Sequence, residues 1–216
     1  MKGKTLVVAI GLTCALIVAA AASAATILGT PGDDTLRGTV GADEIHAYAG
    51  NDTVYARDGA DLIRAGAGDD RAQAGDGSDV AYGGGGSDSI SGANGDDRIW
   101  GGSGADDLSG GDGSDRVSGN QGDDRVSGGN GDDVLFGGSG ADRLYGGDGD
   151  DTLHALASDG APDLLDCGRG DDTAFVLRSE RPTTKLVSCE RIFVEVAPTT
   201  EQNADENGDT DADANG

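Results

Sequence analysis

From Leu36 to Leu153 an apolar residue returns at every ninth position. The row runs Leu36, Ile45, Val54, Ile63, Ala72, Ala81, Ile90, Ile99, Leu108, Val117, Val126, Leu135, Leu144 and Leu153, and the stretches between its members are mostly glycine and polar residues. Two other columns keep the same register. In a nine-residue unit counted from Gly29, the fourth residue is always Gly (Gly32 to Gly149) and the sixth always Asp (Asp34 to Asp151), through fourteen copies that end at His154. A period of nine belongs to neither a helix nor a single alternating strand. It is the mark of a stacked coil in which each unit meets only its neighbours.

The unit Gly128-Gly129-Asn130-Gly131-Asp132-Asp133-Val134-Leu135-Phe136 shows the local logic. Its first six residues predict a turn, because glycine supplies backbone angles closed to other residues. Its last three predict a short strand, with Leu135 inward and Val134 and Phe136 outward. Two units, 18 residues, complete one coil, and coils stack as parallel strands about 4.8 Å apart. Odd units then build one sheet and even units the other, seven strands each. The expected fold is all-β: a two-sheet parallel solenoid over residues 25–154, closed by a small C-terminal cap over 155–196.

Composition alone points elsewhere. Forty of 216 residues are Gly, eight are aromatic, and 40 acidic against 15 basic residues leave a net charge of −25. Such a chain ordinarily stays disordered, but a disordered chain has no reason to hold three columns in register. The acidity excludes nucleic acid as a partner and makes metal cations the natural counter-charge.

The coil decides where that charge goes. Asp34, Asp52, Asp70, Asp88, Asp106, Asp124 and Asp142 line one edge; Asp43, Asp61, Asp79, Asp97, Asp115, Asp133 and Asp151 line the other. Carboxylates about 4.8 Å apart repel by roughly 1 kcal/mol per pair even in water. A hard dication between turns reverses that sign, and carboxylates with turn carbonyls suit the six to eight oxygens of Ca²⁺ better than the tight octahedron of Mg²⁺. Seven turns per edge leave six gaps, so the array offers at most about twelve shared sites. Each unit buries one apolar side chain, worth about 1.5–3 kcal/mol, while ordering its nine backbones costs about 1–2 kcal/mol apiece. The expectation is a chain that folds on binding Ca²⁺. Asp also caps turns without metal, a sufficient account of one Asp but a poor one of fourteen in register.

The unit has the form Gly-Gly-x-Gly-x-Asp-x-U-x, with U a large apolar residue, and Gly110-Gly111-Asp112-Gly113-Ser114-Asp115-Arg116-Val117-Ser118 fits it throughout. In this the chain resembles the RTX, or haemolysin-type calcium-binding, repeat family, closely over 29–154 and best over 83–154. The resemblance implies a parallel β-roll with Ca²⁺ between turns on the same side, and sixth-position Asp residues as ligands assisted by turn carbonyls. There are departures: Ala47, Ala56, Ala65 and Ala74 replace the first Gly, and Tyr48 and Arg57 the second, so sites over 47–82 should be weak or empty. Family toxins and proteases carry a large catalytic or pore-forming domain beside the array; none is evident in these 216 residues.

Outside the array, residues 1–24 look like a secretory signal peptide. Lys2 and Lys4 precede an apolar stretch from Thr5 to Ala21, and Ala22-Ser23-Ala24 is a small-x-small cleavage site that would leave Ala25 first. The rival reading is an uncleaved anchor; after cleavage no membrane span remains. Cys14 goes with the leader, so Cys167 and Cys189 are expected to pair as a disulfide in an oxidising, extracellular setting. Ile27 falls one unit before Leu36 and should start the first strand. Residues 155–166 form a unit stretched by three, in which Asp163 and Leu165 keep the final spacing, and 167–175 is a degenerate unit. Residues 176–196 are expected to protect the last strand edge. The tail, 197–216, has six acidic residues and no basic one, and is expected to be disordered.

No His-Glu-x-x-His or Gly-x-Ser-x-Gly string occurs, and His46 and His154 lie six coils apart, so no enzyme is expected. The outer faces differ. The odd sheet shows Thr35, Thr53, Arg71, Ser89, Ser91, Arg125 and Arg143; the even sheet shows Leu62, Val80, Tyr82, Trp100, Val134 and Phe136. Tyr82, Trp100, Ser118, Phe136 and His154 form one column, a candidate face for another copy, an extracellular protein or a polysaccharide. The chain therefore reads as a secreted calcium-binding protein with a structural or interaction role. The rivals are an accessory or enzyme-like factor for extracellular polysaccharide and a cell-surface adhesive element.

Overall fold

The computed structural model describes residues 7–8, 16–18, 24–157, 159–177 and 183–195. Every regular element among them is a strand, and strands alternate between an eleven-stranded and a ten-stranded sheet, parallel throughout. Each array strand pairs with the strands one coil before and after it: Ile99 lies between Ala81 and Val117, and Ile90 between Ala72 and Leu108. This is the two-sheet parallel solenoid that the period of nine predicts. The inward row from Leu36 to Leu153 forms its core, each member 0–3 % exposed.

From Glu44–Ala49 to Arg143–Asp148 the strands are longer than three residues. Arg98–Ser103 and Val134–Ser139 have six, running from the seventh position of one unit to the third of the next. Each strand therefore turns two residues inward, the eighth and the following first. Ala47, Ala56, Ala65 and Ala74 occupy that second inward place and are fully buried. The signal was present in the sequence: the first column holds only Gly and Ala. Past the array the same place takes the larger Cys167 and Val176, also fully buried.

From Tyr48 onward the second position takes left-handed backbone. Its array glycines, from Gly66 to Gly147, have φ of 105–127°, and the four side chains that replace glycine in this conformation, Tyr48, Arg57, Ala93 and Asn120, draw φ back to 75–89°. Non-glycine residues there carry steric strain.

The stretched unit is absorbed in a loop, after which the coil resumes with an offset of 21 residues: Leu144 pairs with Leu165, and Leu153 with Ala174. Lys185–Val187 and Arg191–Glu195 add one more strand to each sheet. The C-terminal segment thus prolongs the coil. A disulfide, Cys167–Cys189, with Cα atoms 5.1 Å apart, ties that last coil to the one before it. At the other end Thr26–Leu28 is a strand with Ile27 buried, as its spacing predicts. Short strands at Val7–Val8 and Leu16–Val18 pair with it and with Thr35–Arg37. The rest of the expected signal peptide and the tail 197–216 lie outside the described residues, and no helix among the described residues is long and apolar enough to cross a membrane.

The aromatic column on the eleven-stranded sheet stacks on itself. Tyr82 and Trp100 are parallel, centroids 4.8 Å apart; Phe136, His154, Phe175 and Phe193 continue as a stack with spacings of 4.5, 4.8 and 5.2 Å. Ser118 interrupts the rings, and there the Arg116 guanidinium lies 4.2 Å from the Phe136 centroid. The ring faces are therefore largely spent on one another.

Candidate metal centre

The sixth-position carboxylates do not hang into solvent. All fourteen, Asp34 to Asp151, are 0–3 % exposed. One oxygen of each, from Asp52 onward, accepts a hydrogen bond from the backbone N–H of the Asp one coil earlier, at 2.7–2.9 Å: Asp34 to Asp52, Asp43 to Asp61, and so on to Asp133 and Asp151. The two edge rows read from the sequence are thus two continuous ladders.

The second oxygen is the anomaly. In eleven array residues, Asp52, Asp61, Asp70, Asp79, Asp88, Asp97, Asp106, Asp115, Asp124, Asp133 and Asp151, Oδ2 is buried and reaches no hydrogen-bond donor. An ionised oxygen buried without a partner is strongly unfavourable. Burial accordingly pushes the carboxyls of Asp52, Asp61, Asp97, Asp106, Asp124, Asp133 and Asp142 up to about 7. Those of Asp70, Asp88, Asp115 and Asp151 rise to about 6 by the same cause. The backbone N–H that each accepts works against the rise.

The glycine at the first position explains the space around these oxygens. A Cβ on Gly83 would collide with Asp88 Oδ2 and the Gly101 carbonyl oxygen, and one on Gly92 with Asp97 Oδ2 and the Gly110 carbonyl. Gly101 and Gly119 repeat the arrangement with Asp106 and Gly119, and with Asp124 and Gly137. Each such glycine keeps open a pocket where a carboxylate oxygen and a carbonyl from the next coil converge. Among the described residues no three Asp, Glu, His or Cys side chains meet at one point. A cation here would therefore draw on carbonyls as well as carboxylates, a hard all-oxygen donor set that suits Ca²⁺. The residues present fit such an ion. In the Ala47, Ala56, Ala65 and Ala74 units a methyl group stands at the first position instead.

The first two turns are built differently. Thr30 donates its N–H and hydroxyl to Asp34 Oδ2, at 2.5 and 3.0 Å. Thr39 donates its N–H to Asp43 Oδ2 at 2.5 Å and its hydroxyl to Asp43 Oδ1 at 2.9 Å, where the Ala25 N–H also bonds at 2.6 Å. Both oxygens of Asp43 are thereby engaged by protein groups.

Sequence reasoning missed three features. The ladder continues past Asp151: Asp163 accepts from Asp142, Asp172 from Asp151, and Glu190 from Asp172. The preserved spacing of Asp163 was the available signal. The fifth position carries a second, exposed ladder of opposite sense, with Asn51 donating its N–H to Asp33, Ser87 to Asp69 and Ser114 to Asp96. The third is the closure of the first turns by Thr30 and Thr39. Of the residues considered for a partner face, Tyr82 and Trp100 stack together, while Phe136 belongs to the separate stack through His154.

Among curated proteins none matches the chain. The family described as "RTX calcium-binding nonapeptide repeat (4 copies)" matches residues 28–63, 55–90, 64–99, 82–117, 118–153, 127–160 and 136–174. These segments overlap to cover most of the sequence, and they span the ladders and pockets just described. The chain belongs to the RTX calcium-binding nonapeptide repeat family.

Proposed function

We propose that this protein is a secreted, non-catalytic module whose fold is switched on by calcium. The single observation that carries the reading is the row of buried, partnerless Asp Oδ2 atoms beside carbonyl oxygens of the next coil. The ligand set would be the sixth-position residues from Asp34 to Asp151, apart from Asp43, whose oxygens Thr39 and Ala25 already engage, with turn carbonyls, at most about twelve shared sites in the array. Bound Ca²⁺ supplies the positive charge that lets adjacent carboxylates ionise side by side. The chain does the rest: Oδ1 bonds position each carboxylate, first-position glycines keep the pocket open, and the apolar row excludes water from behind it. The units from Gly83 to His154 keep glycine at the first position and should bind best; the four alanine units should bind weakly.

The disulfide and the leader-like residues 1–24 support export and an extracellular, calcium-rich setting. Scarce intracellular Ca²⁺ would leave the chain unfolded during export, and external Ca²⁺ would fold it. An exported protein whose first residue is Ala25 would accord with cleavage. The self-stacking of the aromatic column favours a structural role for it over sugar binding, since sugars stack on ring faces and these faces are covered. A calcium titration of the chelated chain, followed by circular dichroism and calorimetry, is the direct test. Full β signal in chelator at pH 8 would end the proposal.

A further inference from the structure

Among the described residues the last strand, Arg191–Glu195, is the end of the eleven-stranded sheet and pairs on one side only, with Thr173–Leu177. All five of its residues are exposed. Ile192 and Val194 stand in the two inward columns, level with Ala174 and Val176, which are fully buried; yet they are 40 % and 41 % exposed. Phe193 ends the aromatic stack with one face on Phe175 and is 51 % exposed. Among the described residues the end of the coil is thus an apolar core section bordered by the outer edge of a strand, the kind of edge that recruits another strand.

We propose that this edge pairs with the same strand of a second copy, antiparallel, giving a two-fold dimer. The order Arg-Ile-Phe-Val-Glu is self-complementary when turned about Phe193. Arg191 of one copy falls opposite Glu195 of the other, twice by symmetry. Ile192 falls opposite Val194 on the core face, and Phe193 opposite its own counterpart on the outer face. Every cross-strand pair is then opposite in charge, or apolar with apolar. Other occupants fit less well. Residues 197–216 contain no Val, Ile, Leu, Met, Phe, Tyr or Trp to cover Ile192 and Phe193, and Pro198 lacks the N–H a pairing strand needs. Head-to-tail stacking on the opposite end of the coil would give open-ended oligomers in place of a closed dimer, so the two arrangements differ in what sedimentation reads. The net charge of −25 on each copy opposes association, but at ~0.15 M salt its reach falls to about 8 Å.

The test is sedimentation of the full chain in saturating Ca²⁺ at ~0.15 M salt, over a range reaching about 100 µM, with Glu195→Arg, Ile192→Glu and the double variant Arg191→Glu/Glu195→Arg alongside. Circular dichroism checks that each variant keeps its strands, which the terminal location of the substitutions favours. The proposal expects a closed dimer, a dissociation constant raised roughly tenfold or more by either single change, and recovery in the charge-swapped double variant. A monomer across the range, open-ended oligomers, or a dimer indifferent to Glu195→Arg and Ile192→Glu would overturn it. If deleting 197–216 from a monomeric chain produces the dimer, the tail is the native cover and the proposal also falls.

Discussion

The backbone N–H of Asp88 donates to Oδ1 of Asp106, one coil later, at 2.8 Å, while Oδ2 of Asp106 is buried with no donor in reach. Position is thus set by one oxygen and charge is left unanswered on the other. The same relation recurs along both edges, and it makes the coil a device that accepts either a cation or a proton.

The proton gives the first prediction. These carboxyls ionise near 3.8 ordinarily and at about 6–7 in the coil, so the folded chain holds more protons than the unfolded one between those values. Metal-free stability should be full below about pH 4 and lost as pH rises through 6–7. Chelated protein should show more β signal and a higher Tm at pH 4.5 than at pH 8. Calcium affinity should run the other way, weakening in acid because ion and proton compete for the same oxygens. Equal metal-free stability at the two pH values would contradict this.

The first-position methyl group gives the second. Ala65→Gly should deepen the pocket beside Asp70 and raise the calcium stoichiometry or affinity measured by calorimetry. Gly119→Ala should press a methyl group on Asp124 and the Gly137 carbonyl, lowering the calcium-loaded stability by about 1–3 kcal/mol.

The left-handed second position gives the third. Ala93 has φ of 86° and Asn120 of 75°. Changing either to Gly should stabilise the calcium-loaded chain by about 1 kcal/mol, because relief of strain exceeds the added freedom of the unfolded backbone. Thermal melts at fixed calcium concentration measure it.

Thr39 and Asp43 give the fourth. Since protein donors engage both oxygens of Asp43, that turn should close without metal. Asp43→Asn should leave the calcium count unchanged, whereas Asp106→Asn should reduce it. Thr39→Val should cost about 1–3 kcal/mol in calcium and in acid alike.

His154 gives the fifth. It lies between Phe136 and Phe175, and burial, assisted by the Arg116 charge, lowers its pKa from 6.5 to about 4. The imidazole should stay neutral at pH 5, with an NMR titration midpoint near 4. Its contribution to stability is complete above about pH 6.5 and is lost as pH falls through 4, opposite in sense to the carboxyl ladders. Phe136→Ala should move the midpoint upward and cost about 0.5–1.5 kcal/mol in stacking.

Much of this was legible beforehand. The row from Leu36 to Leu153 determined the core, the sixth-position Asp column determined the two edges, Ile27 and Asp163 were recoverable from spacing, and the cysteine pair from its even number in a chain read as exported. These features survive projection onto one dimension because a solenoid repeats the same contact at a constant offset, so a column in the sequence is a row in space.

What one dimension could not carry was direction and termination. Spacing places Asp88 next to Asp106 but does not say that one carboxylate oxygen is satisfied and the other stranded; that follows from how the turn aims the side chain under its neighbour's N–H. Nor does it say that the Tyr82 and Trp100 rings lie flat on each other, or that Thr39 closes a turn that looks like all the rest. Residues 176–196 read as a cap because they are apolar, but their spacing does not say that Lys185–Val187 and Arg191–Glu195 join the stack as strands. A repeat specifies how each coil meets the next, and nothing in that rule specifies the last. Only the fold shows which of the described strands ends each sheet.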